Sequence, residues 1–130
     1  MATVYVDTSA LGRVLLGEPY AGAIIADLAE YEQRVASRLM RVELRRLARR
    51  EGVLADADEL LRGVALLPID EGVLAAAETI PPTTVATLNA IHLATALRLS
   101  TGGALDAVMT YDAGLADGAR HHGLAVTAPT

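Results

Sequence analysis

Apolar residues recur along the chain with two alternating periods, and this alternation predicts strands and helices in turn. Short β-rich runs bounded by Gly, Pro, Asp or Ser are typical of buried strands. We predict them at Val4–Val6, Arg34–Ser37, Ala65–Ile69, Ala107–Thr110 and Leu124–Thr127. Longer segments with apolar residues every three or four positions predict helices. These lie at Ala10–Leu16, Tyr20–Tyr31, Arg38–Arg50, Ala55–Val64, Glu71–Thr79, Leu88–Leu99 and from Asp112 to His121.

This order of elements predicts an α/β fold, with a central, mainly parallel sheet flanked by helices on both faces. No linker, repeat or low-complexity tract interrupts the pattern, so residues 1–130 are expected to form a single domain. The segment Leu88–Leu99 is apolar nearly all the way round and predicts a central, buried helix. In sheets of this type the functional crevice lies outside the carboxyl ends of the strands.

Composition narrows the possible chemistry. The chain has no cysteine, which excludes disulfides, thiolate catalysis and cysteine zinc sites. All 11 basic residues are arginine, so enzymes that need an active-site lysine are excluded as well. The formal net charge of −5 counts mildly against nucleic-acid binding, although a metal site needs acids. No apolar run is long enough to span a bilayer and no signal peptide is visible, so we expect a cytoplasmic protein without membrane contact.

Two aspartates stand at the predicted carboxyl ends of strands. Asp7 directly follows Val4–Val6, and Asp112 lies just beyond Ala107–Thr110. Each aspartate could simply cap the helix that follows it, because Asp is a favoured N-cap residue. Their position at the functional edge of the sheet makes a shared chemical role the competing interpretation.

Glu43 adds a third acid, because it lies on the apolar face of the predicted helix Arg38–Arg50. A carboxylate there is costly unless it is paired or bound to a cation, and an ion pair with Arg46 or Arg50 is one alternative. Clustered carboxylates repel each other, and a hard divalent cation such as Mg²⁺ relieves that repulsion. A metal site of this kind can activate water and stabilise charge on a phosphodiester. The three acids therefore suit phosphodiester hydrolysis with Mg²⁺ or Mn²⁺.

Four segments in order resemble the motifs of PIN-domain toxins of the VapC family, over nearly the whole chain. They are Val6-Asp7-Thr8-Ser9-Ala10-Leu11, Glu43-Leu44-Arg45-Arg46, Asn89-Ala90-Ile91-His92-Leu93-Ala94-Thr95-Ala96 and Thr110-Tyr111-Asp112. The resemblance implies a PIN-like fold and a metal-dependent endoribonuclease that acts on structured RNA such as tRNA or rRNA. It further implies a homodimer that a cognate VapB-type antitoxin holds inactive, and that meets DNA only through that antitoxin.

Carried over to this chain, the acids of the family fall on Asp7, Glu43 and Asp112, which the resemblance makes the metal ligands. The remaining catalytic position, an aspartate in the family, is Asn89 here. An amide carries no charge, so Asn89 is a poorer Mg²⁺ ligand and cannot serve as a general base. Natural drift and a deliberate inactivating substitution are both compatible with this difference. In either case we expect the chain to be far less active than its Asn89→Asp version.

Five further residues have weaker signals. The resemblance implies that Ser9 helps to hold a metal-bound water or a phosphate, although it could be an ordinary first-turn hydroxyl. Thr110, two residues before Asp112, could support the metal ligands, although threonine is common in strands. Arg41 and Arg45 belong to an arginine row that could bind RNA phosphates, although such a row is more often a solvated helix face. His92 is expected to be a hydrogen-bonded core residue rather than a base.

Two other classes of protein stay open at this point. An aspartyl phosphotransferase could use Asp7 as its nucleophile, but that class needs a second aspartate where this chain has Ser9, and commonly a lysine. A PIN-like domain without activity could instead act as a binding or titration module, and Asn89 is compatible with that role.

Overall fold

The computed structural model describes all 130 residues. The strands are β1 (Thr3–Val6), β2 (Gln33–Ser37), β3 (Ala65–Leu67), β4 (Ala107–Met109) and β5 (Val126–Thr127). The helices are α1 (Thr8–Leu15), α2 (Ala21–Leu28), α3 (Arg38–Glu51), α4 (Leu54–Leu61), α5 (Glu71–Thr79), α6 (Thr87–Thr101) and α7 (Ala113–His121). Strands and helices thus alternate along the chain as the sequence predicts.

The five strands form one sheet in the order β3-β2-β1-β4-β5, and every neighbouring pair is parallel. β1 lies at the centre, and Val4, Tyr5 and Val6 have no exposed surface. A strand buried on both faces reads as a continuous apolar run, which is the pattern of a parallel sheet covered on both sides. The prediction of a mainly parallel central sheet is confirmed.

Successive residues of β1 point to opposite faces of the sheet, because side chains alternate along a strand. Val4 and Val6 pack into one core with Met40 and residues of α1, α2 and α4. Tyr5 points into a second core, where it meets Leu93 of α6 and residues of α7. Helices therefore cover both faces of the sheet, as predicted.

Three predicted strands are longer than the observed ones, and the strand predicted at Ala107–Thr110 ends one residue earlier, at Met109. The strand predicted at Ala65–Ile69 ends at Leu67, because Pro68 has no N–H to donate to the ladder. The strand predicted at Leu124–Thr127 begins only at Val126. The backbone N–H of Leu124 instead donates to Ala119 O and closes the end of α7.

α6 is the longest helix, with 15 residues, and its middle is buried between the sheet and its neighbours. The prediction that this helix is buried nearly all round is wrong at its first turn, where Leu88 is 52% exposed. The hydrophobic surface of Leu88 lines an open cleft beside α3 rather than the core. No helix in the structure is long and apolar enough to cross a membrane.

Parallel strands place all their carboxyl ends at one edge of the sheet. β1 continues directly into Asp7, and β4 is followed by Thr110 and Asp112 two residues later. β2 runs straight into α3, whose N-terminus is capped by Ser37 through a 3.0 Å hydrogen bond from Leu39 N to Ser37 Oγ. The fold thus brings the start of α1, α3 and α7 to the same edge.

Candidate functional site

Asp7 is the most buried acid of the site, with only 4% of its surface exposed. Its Oδ1 accepts hydrogen bonds from Ser9 Oγ at 2.6 Å and from Ala10 N at 3.3 Å. Its Oδ2 accepts from Thr110 Oγ1 at 2.8 Å. Burial raises the pKa of Asp7 above its ordinary value, while the hydroxyl bonds act in the opposite direction. Asp7 is therefore both the cap of α1 and a carboxylate fixed on both oxygens.

The Ser9 and Thr110 hydroxyls position the two aspartates. Thr110 Oγ1 donates to Asp7 and accepts from Asp112 N at 3.0 Å, so it ties β1 to the loop after β4. Ser9 Oγ donates to Asp7 and accepts from Tyr111 N at 2.8 Å. Each hydroxyl has one proton, and in both residues that proton is directed at Asp7. Both side chains thus act on the acids.

Glu43 is held by residues from two other elements. Its Oε1 accepts from Thr8 Oγ1 at 2.8 Å and lies 2.8 Å from His92 Nε2. Burial raises the pKa of Glu43, but the hydrogen bonds from His92 and Thr8 outweigh it, and the net pKa is lowered. The alternative ion pair with Arg46 or Arg50 does not form. Glu43 is therefore an ionised carboxylate that the Thr8 hydroxyl and the His92 ring hold in place.

His92 links Glu43 to the centre of the sheet. His92 is 2% exposed, and its Nδ1 lies 2.6 Å from the Tyr5 hydroxyl. The Tyr5 oxygen also accepts from Ser37 N at 3.3 Å, and burial raises the pKa of Tyr5, so its proton remains to be donated to His92 Nδ1. His92 Nε2–H is then the donor to Glu43. The prediction that His92 is a hydrogen-bonded core residue is confirmed. Only its place one turn after Asn89 could have suggested its link to Glu43.

Asn89 and Asp112 form the outer part of the site. Asn89 Nδ2 donates to Asp112 Oδ1 at 3.0 Å, and the same oxygen caps α7 by accepting from Leu115 N at 2.9 Å. Asp112 is exposed and Asn89 is half-buried. A β-carbon on Gly114 would lie 3.2 Å from Asp112 Oδ1 and 3.3 Å from Asn89 Nδ2, so glycine keeps this corner open. An aspartate at position 89 would place a second carboxylate against Asp112.

The four predicted catalytic residues thus belong to one edge of the sheet and to two linked sets of hydrogen bonds. Asp7 connects to Asp112 through Thr110, and Thr8, the residue after Asp7, bonds to Glu43. No three acidic or histidine side chains stand together as a finished set of metal ligands. Asp7 and Asp112 each use one carboxylate oxygen to cap a helix. The metal-ligand role of Asp7, Glu43 and Asp112 stays a prediction.

The donor chemistry nevertheless fits a hard divalent cation. Carboxylate and amide oxygens are the ligands that Mg²⁺ prefers. The softest donor at the site is the His92 ring, and both of its nitrogens already bond to Tyr5 and Glu43. Glu43 Oε2, Asp112 Oδ2 and Asn89 Oδ1 make no hydrogen bond within the chain. These three oxygens are free to accept a cation or its bound waters. The charge of Asp112 also disfavours ionised Glu43, as expected for neighbouring acids.

Arginines border the acids along two open clefts. The arginine cleft, of about 740 Å³, is lined by Glu43, Arg46, Leu47, Arg49, Arg50 and Leu88. The tyrosine cleft, of about 450 Å³, is lined by Thr8, Ser9, Gly12, Arg13, Leu16, Glu18, Leu47, Arg50, Tyr111 and Asp112. The two clefts share Leu47 and Arg50. A long anion that followed these clefts would pass Glu43 and Asp112 in turn.

The arginine row expected to meet RNA is placed differently. Arg45 forms an ion pair with Asp58 of α4, and Arg41 faces the same carboxylate. The predicted RNA contact of Arg41 and Arg45 stays a prediction, but neither residue lines the two clefts. Arg46 and Arg50 do line these clefts, although the sequence suggested for them only an ion pair with Glu43. The helical wheel separated the faces of α3 but could not show which face borders the site.

A parallel α/β sheet with acids at its carboxyl edge is also what comparison with known proteins indicates. The model of the PIN domain family matches residues 4–126. The chain therefore belongs to the PIN-domain family, and the interpretation as an aspartyl phosphotransferase is rejected.

Two curated relatives narrow the class to the VapC family. Ribonuclease VapC47 of Mycobacterium tuberculosis (strain CDC 1551 / Oshkosh) is 38% identical, over 97% of this chain and 96% of that protein. Ribonuclease VapC46 of Mycobacterium tuberculosis (strain ATCC 25618 / H37Rv) is 38% identical over the full length of both.

Solved structures support the same fold at lower identity. VapC20 of Mycobacterium tuberculosis, described as a Sarcin-Ricin loop cleaving toxin, has a TM-score of 0.71 at 15% identity, over 97% of this chain and 99% of that one. A chain of FitAB bound to a DNA fragment has a TM-score of 0.72 at 21% identity, over 97% and 94%. A toxin–antitoxin complex from Klebsiella pneumoniae has a TM-score of 0.71 at 17% identity, over 84% and 86%.

Proposed function

We propose that this chain is a VapC-type endoribonuclease that hydrolyses RNA phosphodiester bonds with Mg²⁺ or Mn²⁺, and that Asn89 weakens it. The observation that carries the proposal is the arrangement of Asp7, Glu43, Asn89 and Asp112 at one edge of the sheet. The curated relatives named ribonucleases support the reaction class. The oxygen-rich donor set supports the choice of a hard cation.

In this proposal Asp7, Glu43 and Asp112 hold the cation. When bound, the cation supplies a Lewis acid that activates water and stabilises the charge developing on the phosphodiester. The chain contributes the positioning. Thr8 and His92 keep Glu43 ionised and oriented, and Thr110 holds Asp7 and the Asp112 backbone at once.

Substrate phosphates approach along the arginine cleft. Arg46, Arg49 and Arg50 are exposed there and line the same wall as Glu43. Their charges offset the acids locally, which reconciles a net charge of −5 with binding to RNA. A guanidinium group also presents a planar set of donors that suits phosphate oxygens.

Asn89 weakens the site in two ways. Its amide is neutral, so it adds neither charge for the cation nor a general base. It also donates to Asp112 Oδ1, and so engages one of the carboxylates that would hold the cation. In the family this position is an aspartate, and the bond seen here could not form between two ionised carboxylates.

The finer points of the proposal follow the relatives. We propose structured RNA, such as rRNA or tRNA, as the substrate, in line with the description of VapC20 as a Sarcin-Ricin loop cleaving toxin. We propose a VapB-type antitoxin as the partner, since similar folds occur in toxin–antitoxin complexes. We further propose that the chain is a single-domain homodimer that acts in the cytoplasm. It would contact DNA only indirectly, through the antitoxin.

Cleavage of structured RNA by this chain and by its Asn89→Asp variant, in Mg²⁺ and in Mn²⁺, tests the proposal. We expect the variant to cut at least about 100-fold faster, because it regains a charged ligand or base. The matched control is the double variant Asn89→Asp/Asp112→Asn, which keeps one aspartate and one asparagine at the same corner and should lose the gain. Chelation with EDTA should abolish cleavage. Equal rates for this chain and Asn89→Asp, or cleavage that survives EDTA, would contradict the proposal.

A further inference from the structure

Two tyrosine rings and one guanidinium group meet at the rim of the acidic site. The Tyr20 and Tyr111 rings are parallel within 3°, with centroids 6.4 Å apart. The guanidinium carbon of Arg13 lies 4.3 Å from the Tyr111 centroid and 6.0 Å from the Tyr20 centroid. The three residues come from α1, from the residue before α2 and from the loop after β4. They form one cation–aromatic cluster assembled from distant parts of the sequence.

The cluster contains half of the tyrosines of this chain. There are four tyrosines and no phenylalanine or tryptophan, yet two of the four aromatic rings stand here. Tyr20 is 48% exposed and belongs to neither hydrophobic core. It also has a φ of +75°, a left-handed conformation that a bulky residue rarely adopts. Packing into the hydrophobic cores therefore does not account for a tyrosine at this position, and backbone strain of this kind tends to occur at functional sites.

Arg13 adds an unpaired positive charge. No carboxylate lies within 4.0 Å of its guanidinium group, whereas Arg45, Arg62 and Arg98 each have an acidic partner. Its planar group rests against the Tyr111 ring instead. An arginine held by an aromatic face keeps its donors free for an anion, because the ring engages the flat side of the group rather than its N–H edge.

Two members of the cluster border the acids, and Tyr20 extends it outwards by lying parallel to the Tyr111 ring. Arg13 and Tyr111 line the tyrosine cleft together with Thr8, Ser9 and Asp112. Tyr111 is the residue directly before Asp112, so its ring is set by the same loop that places that carboxylate. Glu18 also borders the cleft and would disfavour a free phosphate there. A ligand with one phosphate and a flat, uncharged ring suits this mixture better than a simple anion does.

We infer that Arg13, Tyr20 and Tyr111 bind one unpaired nucleotide of the RNA beside the bond that is cut. The base stacks on the exposed Tyr20 ring, and Arg13 binds the adjoining phosphate. Stacking on aromatic rings and arginine planes is how proteins hold splayed single-stranded bases, and every base has a face to offer. The site therefore selects unpaired nucleotides over duplex, with little preference among bases. This inference rests on the proposed RNA substrate of the same site.

Binding can be measured without cleavage, which separates this inference from the proposed function. A short single-stranded RNA carrying a fluorescent adenine analogue, whose emission falls on stacking, is titrated with this chain in EDTA at low salt. We expect binding with quenching. Tyr20→Leu should weaken binding about ten-fold and abolish the quenching, because leucine is apolar but has no flat face. Tyr20→Phe should retain both. A duplex of the same sequence should bind more weakly than the single strand.

The arginine is tested with a matched control. Arg13→Ala should weaken binding about ten-fold and reduce its salt dependence by about one phosphate contact. Arg62→Ala, which removes an exposed arginine paired with Glu59, should leave affinity within about two-fold. Circular dichroism establishes that each variant is folded.

The outcomes are decisive in each direction. No binding by the unaltered chain, or unchanged affinity and quenching in both Tyr20→Leu and Arg13→Ala, would overturn the nucleotide site. If Asn89→Asp cleaves RNA but these two variants bind as the parent does, the inference fails while the ribonuclease stands. If binding depends on Tyr20 and Arg13 but Asn89→Asp cuts nothing, the nucleotide site stands and the ribonuclease proposal fails.

Discussion

The inner and outer parts of the acidic site differ in how firmly the fold holds them. In the inner part Asp7 and Glu43 accept five side-chain or capping bonds from Ser9, Ala10, Thr110, Thr8 and His92. In the outer part Asn89 and Asp112 share one bond beside solvent, and Asp112 is otherwise held by its cap on α7 and by the bond from its backbone N to Thr110 Oγ1. The inner acids are thus each tied to neighbouring elements by two or more hydrogen bonds, whereas the outer pair can change with little consequence for folding.

The difference follows from desolvation. A buried carboxylate loses its water and must find protein donors, so each of its partners becomes necessary. An exposed carboxylate keeps water as an alternative donor, and its protein bonds contribute less. Substitution of the outer position therefore changes the chemistry of the site without disturbing its frame. Asn89 is a change of that kind.

The largest effect is expected from breaking the inner part at His92. His92→Ala leaves the Tyr5 hydroxyl and Glu43 without their shared partner and opens a cavity under α6. We expect the free energy of unfolding to fall by about 2–4 kcal/mol in urea denaturation. The Asn89→Ala variant on the same helix should lose less than about 0.5 kcal/mol, because its side chain borders solvent.

The His92→Gln variant separates the positioning of Glu43 from the filling of space by the His92 side chain. Its amide nitrogen can still donate towards Glu43, while the acceptor for Tyr5 is lost. In the Asn89→Asp background we expect RNA cleavage to fall strongly in His92→Ala and to recover in part in His92→Gln. Equal losses of activity in the two variants would indicate that His92 only fills space.

A smaller effect is expected from Thr110→Val, which keeps the shape of the side chain and removes the hydroxyl. The change deletes one donor to Asp7 and the acceptor of Asp112 N. We expect a loss of about 1–2 kcal/mol in the free energy of unfolding at neutral pH. Thr95→Val is the matched control, since Thr95 is equally buried but donates only to Ile91 O within its own helix.

This loss should depend on pH. Burial raises the pKa of Asp7 in the folded chain, so protonation of Asp7 favours folding below its ordinary pKa of 3.8, and that benefit disappears as the pH rises through the raised value. Removing the Thr110 hydroxyl raises the folded pKa further. The loss caused by Thr110→Val should therefore grow between about pH 3 and pH 7, whereas that of Thr95→Val stays constant. A loss that shrinks towards neutral pH would show that Asp7 does not ionise in this way.

The sequence predicted the frame of the site better than its contacts. Asp7 and Asp112 could be placed at the carboxyl edge because local patterns reveal where strands end. The sequence left open whether they act as caps or as functional acids. The structure shows that both of them cap helices, and their role as metal ligands stays a prediction. A cap engages a single oxygen, so the two roles do not exclude each other.

The partner of Glu43 could not be predicted in the same way. The helical wheel showed a carboxylate beside the apolar face and offered arginines of the same helix as partners. The observed partners, Thr8 and His92, come from α1 and α6, which are distant in sequence. Contacts of this kind depend on how the helices cross the sheet, and no pattern within α3 contains that information. The exposure of Leu88 was missed for the same reason.

The smallest expected effect on stability comes from the outer part of the site, at Asn89 and Asp112. Asn89→Asp replaces the bond to Asp112 with two facing carboxylates, so in EDTA at pH 7 we expect a loss of about 0.5–1 kcal/mol in the free energy of unfolding. Millimolar Mg²⁺ should reverse it and raise the melting temperature of the variant more than that of this chain, because a ligand that binds only the folded state stabilises it. A variant as stable as its parent in EDTA at every pH, with no added response to Mg²⁺, would mean that positions 89 and 112 do not share a charge-sensitive corner.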